Sequence, residues 1–581
     1  MFLGLASILQ AYFLPGALFV FFLKKTNYRF AILFPIIFIF SLAFNYVLVF
    51  FLLYFDLYIQ KIVLIIFSAE LILLLLLLLV NGKKINNKNI KLQKQDDIEL
   101  NDVYNESKVI KYSYGIILGI AVALVLAFPH GIVYDHIDAI NSWDIWAQSF
   151  ANCQYPKTYG DYPQLTSILM SLPYVFMGSV SIQLFSILMI DLFIFQCLIS
   201  LNILLKTEYR HSSITCSFLI TWVYASNKVI IVDVAVSCIA ILSFTLLLEY
   251  IRRLKQGDGD RLLLWAAFLA AGINGAIKQT GLIWCYVFAP VAIHQINNAG
   301  IERKTAVKSI VLPYFASVVF ATSWYWFNAY LVYIGQVPTK IVSIFTNKAL
   351  FGGYSYVTRA VTATFKYMHY SIFALAALRG LFIKQHKALS AVALLFFGGW
   401  LVFLSYGGAN GKLPAILSAF CLGGYVKILA EKQLDRRIIS KIKSFYSWIA
   451  ADVFKRLTYI VSIFIFIVLI ASFAASDKID GGLLKASHNQ ILTIGEIGLT
   501  KRLNYLQNTK PQQVLTTDWR VMQLPNVNNG YYNQFSREAQ LLDYGYLILN
   551  NDAMKKIDIE VLNDNFYLDY VEGQFSLYIR K

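Results

Sequence analysis

The sequence predicts a polytopic, almost wholly helical membrane protein of about 14 transmembrane helices, ending in a small soluble α/β domain. Three observations carry that fold class. Apolar residues make up 58 % of the 581 positions and charged residues only 14 %, with a mean hydropathy of +0.59. Soluble domains sit nearer 45–50 % apolar and about 25 % charged. The apolar residues come in blocks, and 30–55 and 59–80 each exceed the roughly 18–20 residues that cross a bilayer as a helix. Finally, the Lys and Arg residues gather in alternate connections between the blocks.

Taken in order, the blocks predict helices at 2–23, 30–55, 59–80, 113–129, 180–205, 213–228, 229–251, 262–277, 279–297, 308–333, 367–384, 388–406, 411–430 and 458–475. The run LILLLLLLLV at 71–80 has no amphipathic period, which suits a helix surrounded by lipid or other helices. The first block lacks a basic start and is followed by Lys24 and Lys25, so it reads as a retained helix rather than a cleaved signal. With the N-terminus outside, the connections 24–29, 81–112, 206–212, 249–261, 298–309, 379–387 and 431–457 face inward and hold more than half of the 50 Lys and Arg residues. The outward loop 129–162 holds one base, Lys157, against Asp135, Asp138, Asp144 and Asp161. That asymmetry is the positive-inside pattern. It also accounts for the net charge of +17 without a nucleic-acid partner, because no single face collects the charge.

The domain organisation follows. Residues 1–80 are three N-terminal helices, and the Asn- and Lys-rich stretch 81–112 is a cytoplasmic linker. Residues 113–475 form the transmembrane core with its external loop 129–178. Residues 476–581 form an outward-facing α/β domain. This last part has near-balanced charge, 11 Lys and Arg against 12 Asp and Glu, with strand-like runs at 513–519 and 544–550. Its predicted position over the outward loops leaves open a cover that selects an acceptor or a passive folding cap. Tyr162–Gly178 is apolar but contains Pro163 and Pro173. If it crossed the membrane, every later basic loop would flip, so it is expected to be a partial helix folded back into the outer leaflet. Of the six cysteines, Cys197, Cys216, Cys238, Cys285 and Cys421 fall inside apolar blocks. They read as packing residues, with no CxxC to hold a metal.

The external loop is where chemistry is expected. Taken singly, its acids read as a solvated loop. Asp144 differs because Trp143-Asp144-Ile145-Trp146 frames a carboxylate with two aromatics that belong at a membrane interface. On a helix, Trp143 and Trp146 share a face and Asp144 turns roughly 100° from Trp143, toward open space. His130, Asp135, His136 and Asp138 supply imidazole and carboxylate groups suited to a divalent ion such as Mn, Mg or Zn, but at no compact zinc spacing. Glu70 and Asp191 lie within membrane helices. There an ionisable group serves either as a relay, as in a transporter, or as a buried hydrogen-bonded carboxyl.

The stretch SWDIWAQSFANCQYPKTYGDYPQLTSILMSLPYVFMG (142–178) resembles the first external loop of the GT-C superfamily of integral membrane glycosyltransferases. That group includes the protein mannosyltransferase and aminoarabinose transferase-like families. FLAAGINGAIKQTGLIW (268–284) resembles their Gly-rich helix pair with a lysine at the outer turn. SWYWFNAYLVYIGQVP (323–338) resembles a further family segment, but with Ser323 for its proline and Phe327 for its arginine. The likeness covers about 113–475, and the first three helices have no counterpart in it.

The resemblance implies transfer of a sugar from a polyprenyl-phosphate-linked donor to a glycan, lipid or protein acceptor. The reaction would take place on the outer face of a bacterial cytoplasmic membrane. It implies Asp144, with Asp161 second, as the acid that activates the acceptor or orders a metal. Trp143, Trp146, Tyr162 and Asp138 would contact substrate. A departing lipid phosphate needs positive charge, and outward bases are few: Lys157, Lys278, Lys340, Lys348, Arg359, Lys366 and Lys412. Lys278, at an apolar turn, is favoured for the phosphate with Arg359 beside it; a structural pairing of Lys278 with a loop acid is the alternative. Two other functions stand against this reading. A transporter or flippase for lipid-linked glycans predicts inverted repeats and midplane charge pairs, which the sequence lacks. A polysaccharide polymerase or ligase predicts an Arg-rich outer loop, where 335–366 has only Arg359.

Overall fold

The computed structural model describes residues 2–23, 30–79, 139–156, 162–179, 183–201, 204, 209–225, 232–257, 259–336, 368–402, 412–433, 497–510, 512–516, 529–531, 538–555, 557–572 and 575–581. The N-terminal part comprises α1 (Phe2–Tyr12), α2 (Leu14–Phe22), α3 (Phe30–Tyr54) and α4 (Gln60–Leu79). After a π-helical turn at Ala139–Asp144 come α5 (Ile145–Ala151), α6 (Leu165–Met177), α7 (Leu184–Ser200) and α8 (Arg210–Ala225). The sequence continues through α9 (Val232–Lys255), α10 (Arg261–Ile277), α11 (Gln279–Asn298) and α12 (Arg303–Tyr333). Three further helices, α13 (Met368–Gly380), α14 (Lys387–Val402) and α15 (Lys412–Gln433), follow among the described residues.

Among the described residues, α3, α4, α9 and α12 are long and apolar enough to cross a membrane, and the bent pair α1–α2 makes a fifth candidate span. The expected helices near 113–129 and 458–475 lie outside the described residues. The block 2–23 is not one helix: it breaks at Phe13 with a 42° bend. Pro15 is the cause, since it has no N–H to give to Ala11 and its ring crowds that carbonyl. Asn45 of α3 repairs the break, its amide donating to the freed carbonyls of Gln10 at 2.9 Å and Ala11 at 3.3 Å. Ser41 accepts the orphaned N–H of Gly16 at 2.9 Å. Gln10 also donates to Glu70 at 3.1 Å, so that membrane carboxyl is hydrogen-bonded within the protein. Asp191 is buried.

α9 is buried along its length and serves as the axis of the bundle, with α10 and α15 packed along it and α7 and α11 beside them. Five cysteines are buried in this core, while Cys153 is half-buried in the turn after α5. α6 occupies most of the stretch Tyr162–Gly178 expected to form a partial helix. Its 13 residues rise about 20 Å, short of a bilayer core of about 30 Å. It ends at Gly178, whose φ of +64° closes the helix in the left-handed region where glycine carries no steric penalty.

The C-terminal part is built differently. Helix α16 (Ile497–Thr509) precedes a five-stranded sheet made of β1 (Val514–Thr516), β2 (Asn529–Tyr531), β3 (Tyr546–Asn550), β4 (Phe566–Glu572) and β5 (Phe575–Arg580), in the order β2-β1-β3-β5-β4. β1 runs parallel to β2 and β3, whereas β5 is antiparallel to β3 and β4. The strict alternation of strand side chains produces two apolar faces. Val514, Tyr546, Ile548, Leu577 and Ile579 pack on Leu499 and Leu503 of α16. Leu515, Leu547, Leu549 and Tyr578 pack on the other side with Leu541, Ile557 and Leu562. The α/β character and both strand-like runs are therefore present.

Candidate functional site

The π-helical turn and α5 lie against α6, and this small two-helix layer carries the residues that the sequence singles out. Trp143 and Trp146 share a face, as their i, i+3 spacing requires, with ring centroids 5.1 Å apart and nearly perpendicular. Tyr162, just before α6, completes the cluster at 5.1 Å from Trp143 and 5.8 Å from Trp146. The Trp146 indole N–H is buried and has no hydrogen-bond partner among the described residues.

Asp144 departs from expectation. Its carboxylate does not turn toward open space but is 1 % exposed, directed into the protein. Tyr174 of α6 donates to Oδ1 at 2.5 Å, while Gln148 and Gln183 donate to Oδ2 at 2.7 and 3.1 Å. Burial pushes the carboxyl up to about 7, and the three donors hold it from rising further. The reason for the reversal is packing: with both tryptophans committed to Tyr162, the remaining direction meets Tyr174 and the segment before α7. A carboxylate offers about four acceptor positions. With three in use, Asp144 retains room for one more donor.

Lys278 is the extended residue between α10 and α11, with φ −156° and ψ 154°. Gly281 makes this corner possible, since a Cβ there would fall 1.9 Å from the carbonyl oxygen of Asn274. The ammonium pairs with Asp233 at 2.6 Å, and the Tyr162 hydroxyl lies near enough to act on its charge. Burial works against its charge, but Asp233 and Tyr162 more than offset this and raise the ammonium above its ordinary value. Its ionic partner is thus an acid in the first turn of α9, not a loop acid. No hydrogen bond or ion pair among the described residues joins Lys278 to Asp144; they are connected through Trp143 and Tyr162.

Four of the anticipated residues, Trp143, Trp146, Tyr162 and Lys278, therefore converge, and Asp144 sits behind the aromatic pair. Asp138, Asp161 and Arg359, and the metal candidates His130, Asp135 and His136, lie outside the described residues. Among the described residues no group of three or more His, Cys, Asp or Glu is placed to hold a metal ion. Phe327, standing where the resembling segment has arginine, packs instead on Phe50 and Tyr155. Sequence reasoning missed Tyr174, Gln183 and Asp233. Only Asp233 left a signal, as an acid at the mouth of an otherwise apolar helix. No protein-family model, curated protein or solved structure matches the chain.

Proposed function

We propose that the protein is a GT-C-type glycosyltransferase of the bacterial cytoplasmic membrane, with about 14 crossings and the loop 129–178 and C-terminal domain on the outer face. It would move a sugar from a polyprenyl-phosphate donor to a glycan, lipid or protein acceptor. The observation that carries this reading is the meeting of two stretches, each singled out by the resemblance, where the Tyr162 hydroxyl comes close enough to Lys278 to act on its charge. The roles follow from the chemistry of each group. Trp143, Trp146 and Tyr162 offer the aromatic faces on which a sugar stacks. Asp144, poised near neutral pH, takes the proton of the acceptor hydroxyl as that oxygen bonds to the anomeric carbon. The bond from that carbon to the phosphate oxygen breaks, and its electron pair stays on the phosphate, beside Lys278. A divalent ion, where one takes part, would be held by His130, Asp135, His136 and Asp138 of the loop, and Asp161 is the second candidate for the acid that activates the acceptor.

The test is Asp144→Asn in membranes supplied with a polyprenyl-phosphate sugar. Sugar transfer should fall by at least ~100-fold, the lower range for a lost general base, with expression and insertion unchanged. Near-normal transfer would remove Asp144 from the mechanism.

A further inference from the structure

Tyr174, which donates to Asp144, sits at the weakest point of its own helix. Pro173 precedes it in α6 and has no N–H to give to the Leu169 carbonyl, so the helical ladder is interrupted just before Tyr174. A helix with such a gap bends or opens unless its neighbours hold it. The turn between α3 and α4 holds it on both sides. Asp56 lets the chain turn there with a φ of +55°, a left-handed conformation that Asp tolerates, and Tyr58 and Gln60 follow. On the N-terminal side of the gap, the hydroxyl of the buried Tyr58 lies 2.8 Å from Ser171 Oγ. Ser171 gives its single proton to the Ile168 carbonyl at 2.7 Å, so Tyr58 is the donor. On the far side, the Gln60 amide donates at 2.8 Å to the carbonyl of Phe176, in the last turn, where carbonyls have no partner within the helix. The preceding carbonyls of Tyr174 and Val175 accept instead from the N–H groups of Ser179 and Gly178. Phe67 of α4 packs edge-on against Phe176, with ring centroids 5.6 Å apart. The N-terminal helices have no counterpart in the family that the loop resembles, yet both supports come from them.

We propose that Tyr58 and Gln60 are positioning residues: by holding α6 on either side of Pro173, they keep the Tyr174 hydroxyl on the Asp144 carboxylate. The part that Asp144 plays in sugar transfer rests on the proposed function; the brace and its action on the carboxyl do not. Three side chains donate to that carboxylate, Tyr174 from α6, Gln148 from α5 and Gln183 from the segment before α7, and of these only Tyr174 is titratable. A hydroxyl that stays within bonding distance favours the ionised form, and one that drifts away favours the protonated form. Relaxation of α6 at Pro173 moves Tyr174 first, because Tyr174 is the residue next to the gap. The N-terminal helices thus act on the site without touching substrate, by setting how readily Asp144 takes up a proton.

The experiment uses the full chain purified in detergent and follows the infrared carboxyl band that Asp144→Asn abolishes, titrated across neutral pH. Tyr58→Phe keeps the buried ring and removes the donor to Ser171, while Gln60→Leu removes the amide at the end of α6. Each should raise the Asp144 midpoint by ~0.4–1 pH unit, the equivalent of losing part or all of one hydrogen bond. In a chain that already carries Tyr174→Phe, neither substitution should move the midpoint further, since the hydroxyl that they position is gone. A support that only stabilises the fold would lower the melting temperature in both variants and leave the midpoint in place. That outcome overturns the proposal, as does a shift that persists in the Tyr174→Phe background. If Tyr58→Phe does not fold, Gln60→Leu, at a half-buried position, decides alone. Variants that shift as stated, in a chain whose Asp144→Asn form still transfers sugar, keep the brace and remove Asp144 from the catalysis.

Discussion

Two carboxylates, the buried Asp144 and the part-buried Asp233, sit in adjoining parts of the molecule and are kept in opposite ways. Asp144 is held by a phenol and two amides, all neutral donors. Asp233 is held by the ammonium of Lys278, with Lys412 nearby. Neutral donors only partly replace lost water, so burial pushes the Asp144 carboxyl up to about 7, the range that proton transfer at neutral pH needs. An ion pair fixes charge instead, so Asp233 is suited to hold a cation in place. Under the proposed function, the Trp143–Trp146–Tyr162 cluster stands between a group for proton transfer and a group for anion binding.

The strongest way to break that division is at the anion side. Lys278→Ala should raise the donor KM ~30–150-fold, equivalent to about 2–3 kcal/mol for a buried charge-assisted contact. It should leave the acceptor KM nearly unchanged. Steady-state kinetics with each substrate varied in turn checks this, and an unchanged donor KM would count against Lys278 as a phosphate ligand.

The proton side is sharpened by Tyr174→Phe. The tyrosine hydroxyl donates to the ionised carboxylate, so its loss favours the protonated form and moves the Asp144 midpoint above about 7. The acid limb of the rate profile should shift to higher pH while the plateau is retained. An unshifted limb would mean that Asp144 does not control it. Stability carries the same signature with its own sign. The folded value of about 7 lies above the ordinary 3.8, so the contribution of Asp144 is full below about pH 4 and declines as pH rises through 7. Asp144→Asn should flatten that decline in a thermal-melt series.

The smallest effect tests the bridge between the two pockets. Tyr162→Phe keeps the ring against both tryptophans and removes only the hydroxyl near Lys278. Loss of one polar neighbour of the ammonium corresponds to ~2–10-fold in donor KM. A change in the pH profile instead would place Tyr162 with the proton-handling group.

Much of this arrangement is legible in the sequence, and the limits have physical causes. Helix spacing puts Trp143 and Trp146 on one face, and two prolines mark Tyr162–Gly178 as a partial helix. The direction of Asp144 is not legible, because Tyr174 reads as one more residue of an apolar run and Gln183 belongs to the next segment. The pairing of Lys278 with Asp233 is equally hidden: the partners are 45 residues apart, and only helix packing decides which helix starts meet. Lys412 stands out in sequence as an outward base but not as a neighbour of either. The break at Phe13 is signalled by Pro15, yet its repair by Asn45 depends on α3 lying alongside.

The corner at Gly281 has a mechanical consequence. With no room for even a methyl group against the Asn274 carbonyl, α10 and α11 meet in close contact at this corner, and Lys278 is its apex. A motion that tilts either helix must carry that ammonium with it. Helix tilt and lysine position are therefore one coordinate, so a bulky residue engineered at 281 would displace the charge without touching it.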